Sequence, residues 1–145
     1  MLQTLKPIVT LIGKIKPQNM PSVRVLGLVE AGFPSPAEEE LVDIISLDDL
    51  LIQNREATFL LKVSGDSMTG AGIMPGDMVI VDKGRTAKSG DIVVAQVDGE
   101  WTMKYLRKHG DNVSLIAANP KYQPIKPKQE LKVAGVVTAV VRKYK

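Results

Sequence analysis

The sequence predicts a mainly β domain with one short helix, preceded by an extended N-terminal arm over residues 1–31. Three observations carry that expectation. Short aliphatic runs bounded by Gly, Pro, Asn and Asp recur through the second half of the chain, the pattern of strands joined by turns. Only one stretch opens with a helix-capping signature. Residues 1–31 hold three prolines, Pro7, Pro17 and Pro21, and four basic residues against the single acid Glu30, which reads as chain leaving the main domain.

Taken in order, Pro34, Ser35 and Pro36 forbid regular structure, and Glu38 to Glu40 form an acidic run of the kind that faces solvent. Ser46 followed by Asp49, just before Leu50-Leu51-Ile52, predicts a short capped helix. Phe59 to Val63 reads as a buried strand, and Gly65 to Gly72 as a tight irregular connection. Pro75-Gly76 suits a type II turn, proline fixing the first central φ and glycine supplying the positive second one. The strand Met78 to Val81 follows. Asp91 to Val97 and Trp101 to Leu106 flank Asp98-Gly99, a two-residue hairpin turn whose positions both tolerate positive φ. Gly110 and Asn112 reverse the chain into Val113 to Ala117, Asn119-Pro120 ends that strand, and Leu131 to Val141 closes the domain as a β-rich run. With aromatics at 4%, the core should be aliphatic.

At 145 residues the chain suits one domain, 32–145, with the arm in front of it. Nineteen basic against 16 acidic residues leave a net charge of +3, too small an excess to mark a nucleic-acid surface, so no direct sequence-specific DNA binding is expected. No apolar run approaches the roughly 20 residues of a membrane span, and no clean signal segment stands at the N-terminus. Absence of cysteine fits a reducing, cytoplasmic setting and removes thiolate chemistry. With one histidine as well, ordinary metal ligands are scarce, and no metal or other cofactor is expected. No glycine pattern matches a phosphate-binding loop or a dinucleotide fingerprint.

What remains for chemistry is a serine with a base other than histidine. His109 falls in the reversal Lys108-His109-Gly110-Asp111, where a solvated turn residue is the ordinary reading, and a Ser-His-Asp triad would have to recruit it. Ser67 is the best-placed serine, because glycines at 65, 70 and 72 would let a substrate backbone approach. Spacing alone favours a turn or capping role for it over catalysis. Lys104 sits mid-strand with Thr102 and Leu106 on one face and Trp101, Met103 and Tyr105 on the other, and one such face usually meets water.

Several ordered motifs narrow these alternatives. They are Ala31-Gly32-Phe33-Pro34-Ser35-Pro36, Ser64-Gly65-Asp66-Ser67-Met68, Gly76-Asp77 leading to Val81-Asp82, and Gly90-Asp91-Ile92-Val93 with Asp98-Gly99-Glu100 and Lys104. Together, with matching intervals from Ala31 onward, they resemble the UmuD proteins of the LexA/UmuD/phage-repressor self-cleaving serine peptidase superfamily. Asn119-Pro120-Lys121-Tyr122-Gln123-Pro124-Ile125 is similar to a further signature of that superfamily. The resemblance implies a LexA/UmuD C-terminal-like domain of small twisted sheets. Ser67 would be the nucleophile, Lys104 the general base, the backbone amides of Asp66 and Ser67 the oxyanion donors, and Ala31-Gly32 the bond cut. UmuD proteins carry cysteine before that glycine, whereas this chain has Ala31, the usual residue in LexA-like repressors.

The resemblance further implies a homodimer, cleavage stimulated by a RecA filament on single-stranded DNA in the SOS response, and a processed form that joins a UmuC-like Y-family DNA polymerase in translesion synthesis. An unperturbed lysine is neutral less than about one time in a thousand at pH 7, a handicap of roughly 4 to 5 kcal/mol, so this mechanism requires burial to lower the lysine pKa. Two other readings stand beside it. A LexA or phage-type repressor would need a DNA-binding domain that 31 residues with three prolines do not supply. A non-catalytic binding module would merely keep the fold.

Overall fold

The computed structural model describes residues 9–14, 23–25 and 43–145. Among the described residues, nine strands, one α-helix and two short 3₁₀ turns make it mainly β, as expected. The chain divides into two units, residues 1–15 with 54–145, and residues 16–53.

In the smaller unit, β2 (Val23–Val25) pairs antiparallel with β3 (Asp43–Ile45), and helix α1 (Leu47–Leu51) follows. The expected cap is present: Ser46 is the N-cap and its hydroxyl accepts from the Asp49 amide at 3.0 Å.

The larger unit is one seven-stranded sheet, antiparallel at every pairing. Along it run β1 (Val9–Lys14), β4 (Thr58–Val63), β5 (Met78–Asp82), β9 (Leu131–Val141), β6 (Ile92–Val97), β7 (Glu100–His109) and β8 (Asn112–Ile116). Part of the segment read as an arm is thus strand, with β1 hydrogen-bonded to β4. The last strand in sequence lies in the middle of the sheet. Residue 138 of β9 is extra against β5 and residue 134 is extra against β6, two bulges that bend and twist a strand wedged between two others. Both predicted turns form. Gly76 has φ 91° and the Asp77 amide returns to the Met74 carbonyl at 3.0 Å, while Asp98 (φ 48°) and Gly99 (φ 90°) join β6 to β7.

Two aliphatic clusters make the core. One gathers Val63, Met68, Ile73, Val79, Val81, Val94 and Met103. The other gathers Val93, Ala95, Val97, Leu106, Leu115 and Val136. No aromatic side chain is among the buried residues described, as the composition predicts. Phe59 to Val63 departs from the buried strand expected of it: Phe59, Leu60 and Leu61 are half-buried and Lys62 is exposed. β4 lies one strand from the sheet edge; of its apolar residues Val63 belongs to the first cluster and Leu61 packs against it, while Thr58 is buried at the other end.

Candidate active site

Ser67 follows β4 and precedes a 3₁₀ turn over Thr69–Ala71. Its neighbour Met68 is 1% exposed and belongs to the first core cluster, so burial of that thioether side chain holds the loop against the sheet. Lys104 lies in the middle of β7, directly opposite Val93 of β6, which in turn is opposite Val136 of β9. Directly paired residues share a sheet face, so the lysine stem stands among Val93, Ala95 and Leu106, all fully buried.

The solvated face first expected for Lys104 is therefore corrected. The residue is 3% exposed, because β7 is covered on both faces at this point: Thr102, Met103, Lys104 and Leu106 are all buried. Ser67 is equally enclosed, at 4%. Lys104 Nζ stands 2.9 Å from Ser67 Oγ, 2.6 Å from Thr102 Oγ1 and 3.2 Å from the Met103 carbonyl oxygen. Burial disfavours the ammonium and pushes its pKa down to about 8.

The geometry suits proton transfer. As an ammonium, Nζ donates to all three oxygens. After losing one proton it keeps two N–H donors, for Thr102 and Met103, and gains a lone pair that can accept from the Ser67 hydroxyl. Nothing has to rearrange. Thr102 was legible only as a residue on the Lys104 face two positions away, and that two-residue spacing brings its hydroxyl to Nζ.

A second segment packs on the nucleophile loop. The Gly70 amide donates to the Ala118 carbonyl at 2.6 Å, and Asn119 Nδ2 donates to the Asp66 carbonyl at 2.9 Å. Lys121 Nζ lies 3.5 Å from the Asp66 carboxylate, which also accepts from the Tyr122 hydroxyl. The tyrosine hydrogen bond and the lysine charge hold the Asp66 carboxyl below its ordinary pKa. The Tyr122 ring centroid lies 5.9 Å from Lys104 Nζ. Gly70 is needed here for a reason other than substrate approach: a Cβ on it would stand 2.5 Å from the Ala118 oxygen. Among the described residues, no backbone carbonyl takes the Asp66 or Ser67 amide.

His109 is exposed at the far end of β7, and the strand alternation turns it to the face opposite Lys104. With Arg107 and Lys126 it borders a cleft of about 660 Å³ that neither Ser67 nor Lys104 lines. Among the described residues no group of three or more His, Cys, Asp or Glu could hold a metal ion, and no helix is long and apolar enough to cross a membrane. Ala31 and Gly32, expected to flank the cut bond, lie outside the described residues.

The sequence profile of the Peptidase S24-like family matches residues 24–138. A LexA repressor from Carboxydothermus hydrogenoformans is 40% identical over 136 residues, 92% of this chain and 66% of that protein. LexA repressor 2 from Geobacter sulfurreducens is 37% identical over 94% of this chain and 66% of its own length. Protein SamA from Salmonella typhimurium is 41% identical over 113 residues, 78% of this chain and 79% of that protein. The chain thus spans slightly less than two thirds of these two LexA repressors.

Proposed function

The chain belongs to the Peptidase S24-like family, and on that premise we propose that it is a self-cleaving serine peptidase of UmuD type whose Ser67 and Lys104 cut its own Ala31-Gly32 bond. One observation carries this reading: a buried serine hydroxyl lies 2.9 Å from a buried lysine amine whose pKa is brought to about 8.

In the first half of the reaction, Ser67 Oγ attacks the Ala31 carbonyl carbon as its proton passes to neutral Lys104 Nζ. The carbonyl oxygen takes up the electron pair and is stabilised by the Asp66 and Ser67 amides. Collapse breaks the bond from the Ala31 carbonyl carbon to the Gly32 nitrogen. Lys104 returns its proton to that nitrogen, leaving Ala31 as an ester on Ser67. Water then attacks the ester, giving one proton to Lys104. The ester C–O bond breaks, Ser67 recovers a proton from Lys104, and residues 1–31 depart with a new carboxylate, the second proton of the water passing to solvent. Glycine on the leaving side lets the backbone take the bent shape the attack needs.

The expected partners extend the same reading. A RecA filament on single-stranded DNA stimulates the cut, and the homodimer of residues 32–145 serves a UmuC-like translesion polymerase, without sequence-specific DNA binding of its own. The motifs shared with UmuD proteins from Ala31 onward support this reading. The LexA repressors among the relatives favour the second reading, the peptidase portion of a DNA-binding protein.

Incubating the purified chain at alkaline pH, and separately with RecA, single-stranded DNA and a slowly hydrolysed nucleotide, tests the cleavage by intact mass. A fragment beginning at Gly32, lost in both Ser67→Ala and Lys104→Ala, is the expected result. Persistence of cleavage in either variant would defeat the dyad. A chain that stays whole under every condition would leave the binding-module reading. Sedimentation of the 32–145 fragment checks the dimer, and a mobility shift on promoter DNA would favour the repressor.

A further inference from the structure

We infer that Asn119 is a positioning residue for the oxyanion site: by holding the Asp66 carbonyl, it fixes the direction in which the Ser67 amide points. This rests on Ser67 being the nucleophile. The Asp66 carbonyl and the Ser67 N–H belong to one peptide unit, which is planar and trans, so its C=O and N–H point in opposite directions. Asn119 Nδ2 donates to that carbonyl at 2.9 Å from a turn 53 residues away in sequence. The amide at the other end of the unit is therefore aimed away from the turn. It is also left without a carbonyl partner among the described residues, as an oxyanion donor must be.

The turn that does the holding is itself fixed. Asn119 Oδ1 accepts from the Lys121 amide at 3.0 Å, closing an Asx turn. The Ala118 carbonyl accepts from Gly70, and the Tyr122 hydroxyl and Lys121 ammonium meet the Asp66 carboxylate. Rotation of the Asp66-Ser67 peptide is thereby resisted from both of its sides. Among the described residues, only the Thr69 amide, at 3.3 Å, shares the Asp66 carbonyl with Asn119. Removing the Asn119 donor leaves that longer contact as the carbonyl's remaining hydrogen bond among the described residues and loosens the peptide's hold. Oxyanion stabilisation depends steeply on donor direction, and complete removal of one donor lowers kcat by about 10² to 10³.

The test uses the full chain. Asn119→Ala removes the donor and the turn acceptor without adding charge near Lys104. Asn119→Asp keeps the turn acceptor and puts a carboxylate oxygen in place of the donor. Self-cleavage rates for parent and Asn119→Ala are followed across the pH range, with thermal unfolding of all three. In a Ser67→Cys background, alkylation by iodoacetamide measures the nucleophile without forming an oxyanion. Expected are cleavage rates at least about tenfold lower in both variants, a parent-like pH midpoint in Asn119→Ala, parent-like unfolding in Asn119→Asp, and unchanged alkylation when Asn119→Ala is combined with Ser67→Cys. Cleavage by Asn119→Ala at the parental rate overturns the role. So does a displaced midpoint or an equal loss of alkylation, since each would place the effect on Lys104 or on the fold. A parent that cuts at no pH defeats the Ser67 reading itself, which a cutting parent with an unimpaired variant does not.

Discussion

Replacing Lys104 by methionine should stabilise the protein at neutral pH and lose that advantage in alkali. The comparison is made in a Ser67→Ala background so that neither protein can cut itself. In the folded state the lysine titrates at about 8, against about 10.4 in the unfolded chain. Between those two values the unfolded chain binds more protons, so the stability of the lysine protein rises with pH across that window and sits at its lowest level below it. A gap of about 2.4 units corresponds to about 3 kcal/mol. Methionine, of similar length, carries no such penalty. Its pH-independent deficit is the loss of the Nζ hydrogen bonds to Thr102 and the Met103 carbonyl, about 1 kcal/mol each. That deficit shifts the whole difference curve without changing its slope. Urea unfolding of the two proteins from about pH 6.5 to 10.5 should show the advantage of the methionine variant shrinking by about 3 kcal/mol. Other titrating groups cancel in the difference. A curve flat across the window would show that Lys104 is not desolvated, and the argument for its neutral form would fall with it.

Self-cleavage should rise about tenfold from pH 7 and level off above about pH 9, following the neutral fraction of a lysine with pKa about 8. A plateau already reached by pH 7.5, removed by His109→Ala, would transfer the base to His109. Gly70→Ala should slow cleavage by about tenfold or more and destabilise the fold by about 1–3 kcal/mol, since its Cβ would stand 2.5 Å from the Ala118 oxygen. Rates and unfolding midpoints equal to those of the parent would show that the 66–70 loop does not need that contact. Asp77 is buried and accepts from Arg142 Nε at 2.7 Å, Arg142 Nη2 at 2.6 Å and the Met74 amide at 2.8 Å, bonds that hold its carboxyl below the ordinary pKa. Asp77→Asn should therefore cost about 2–3 kcal/mol at pH 7. Because the folded pKa is depressed, the parent keeps this stability above about pH 4 and loses it as pH falls through the folded value. Urea midpoints of the pair should converge in acid, and a constant gap would contradict the assignment.

The parts of this fold that were legible in the sequence are those that local covalent geometry decides. Asp98-Gly99 could be placed because a two-residue hairpin needs positive φ at both positions, and the chain takes 48° and 90° there. Ser46 could be placed because its hydroxyl caps an amide three residues away. Site geometry depends instead on which distant segments meet. The strand pattern around Lys104 carries no sign of burial, since period-two alternation marks an inner face only when the other face is wet. Here Thr102, Met103, Lys104 and Leu106 are all enclosed. That enclosure is completed by β9, whose Val136 lies beside Val93, itself beside Lys104. The pairing joins residues far apart in the chain, and no local window contains it. Asn119 is the same case at longer range: its neighbours Pro120 and Lys121 mark a turn, and only the fold brings its amide to the Asp66 carbonyl. The motif resemblance bridged part of that distance by carrying Ser67 and Lys104 together. The bond whose cleavage it implies, Ala31-Gly32, lies outside the described residues. The fragment beginning at Gly32 therefore tests the resemblance, whereas the alkaline slope of stability tests the buried lysine. The two can fail separately.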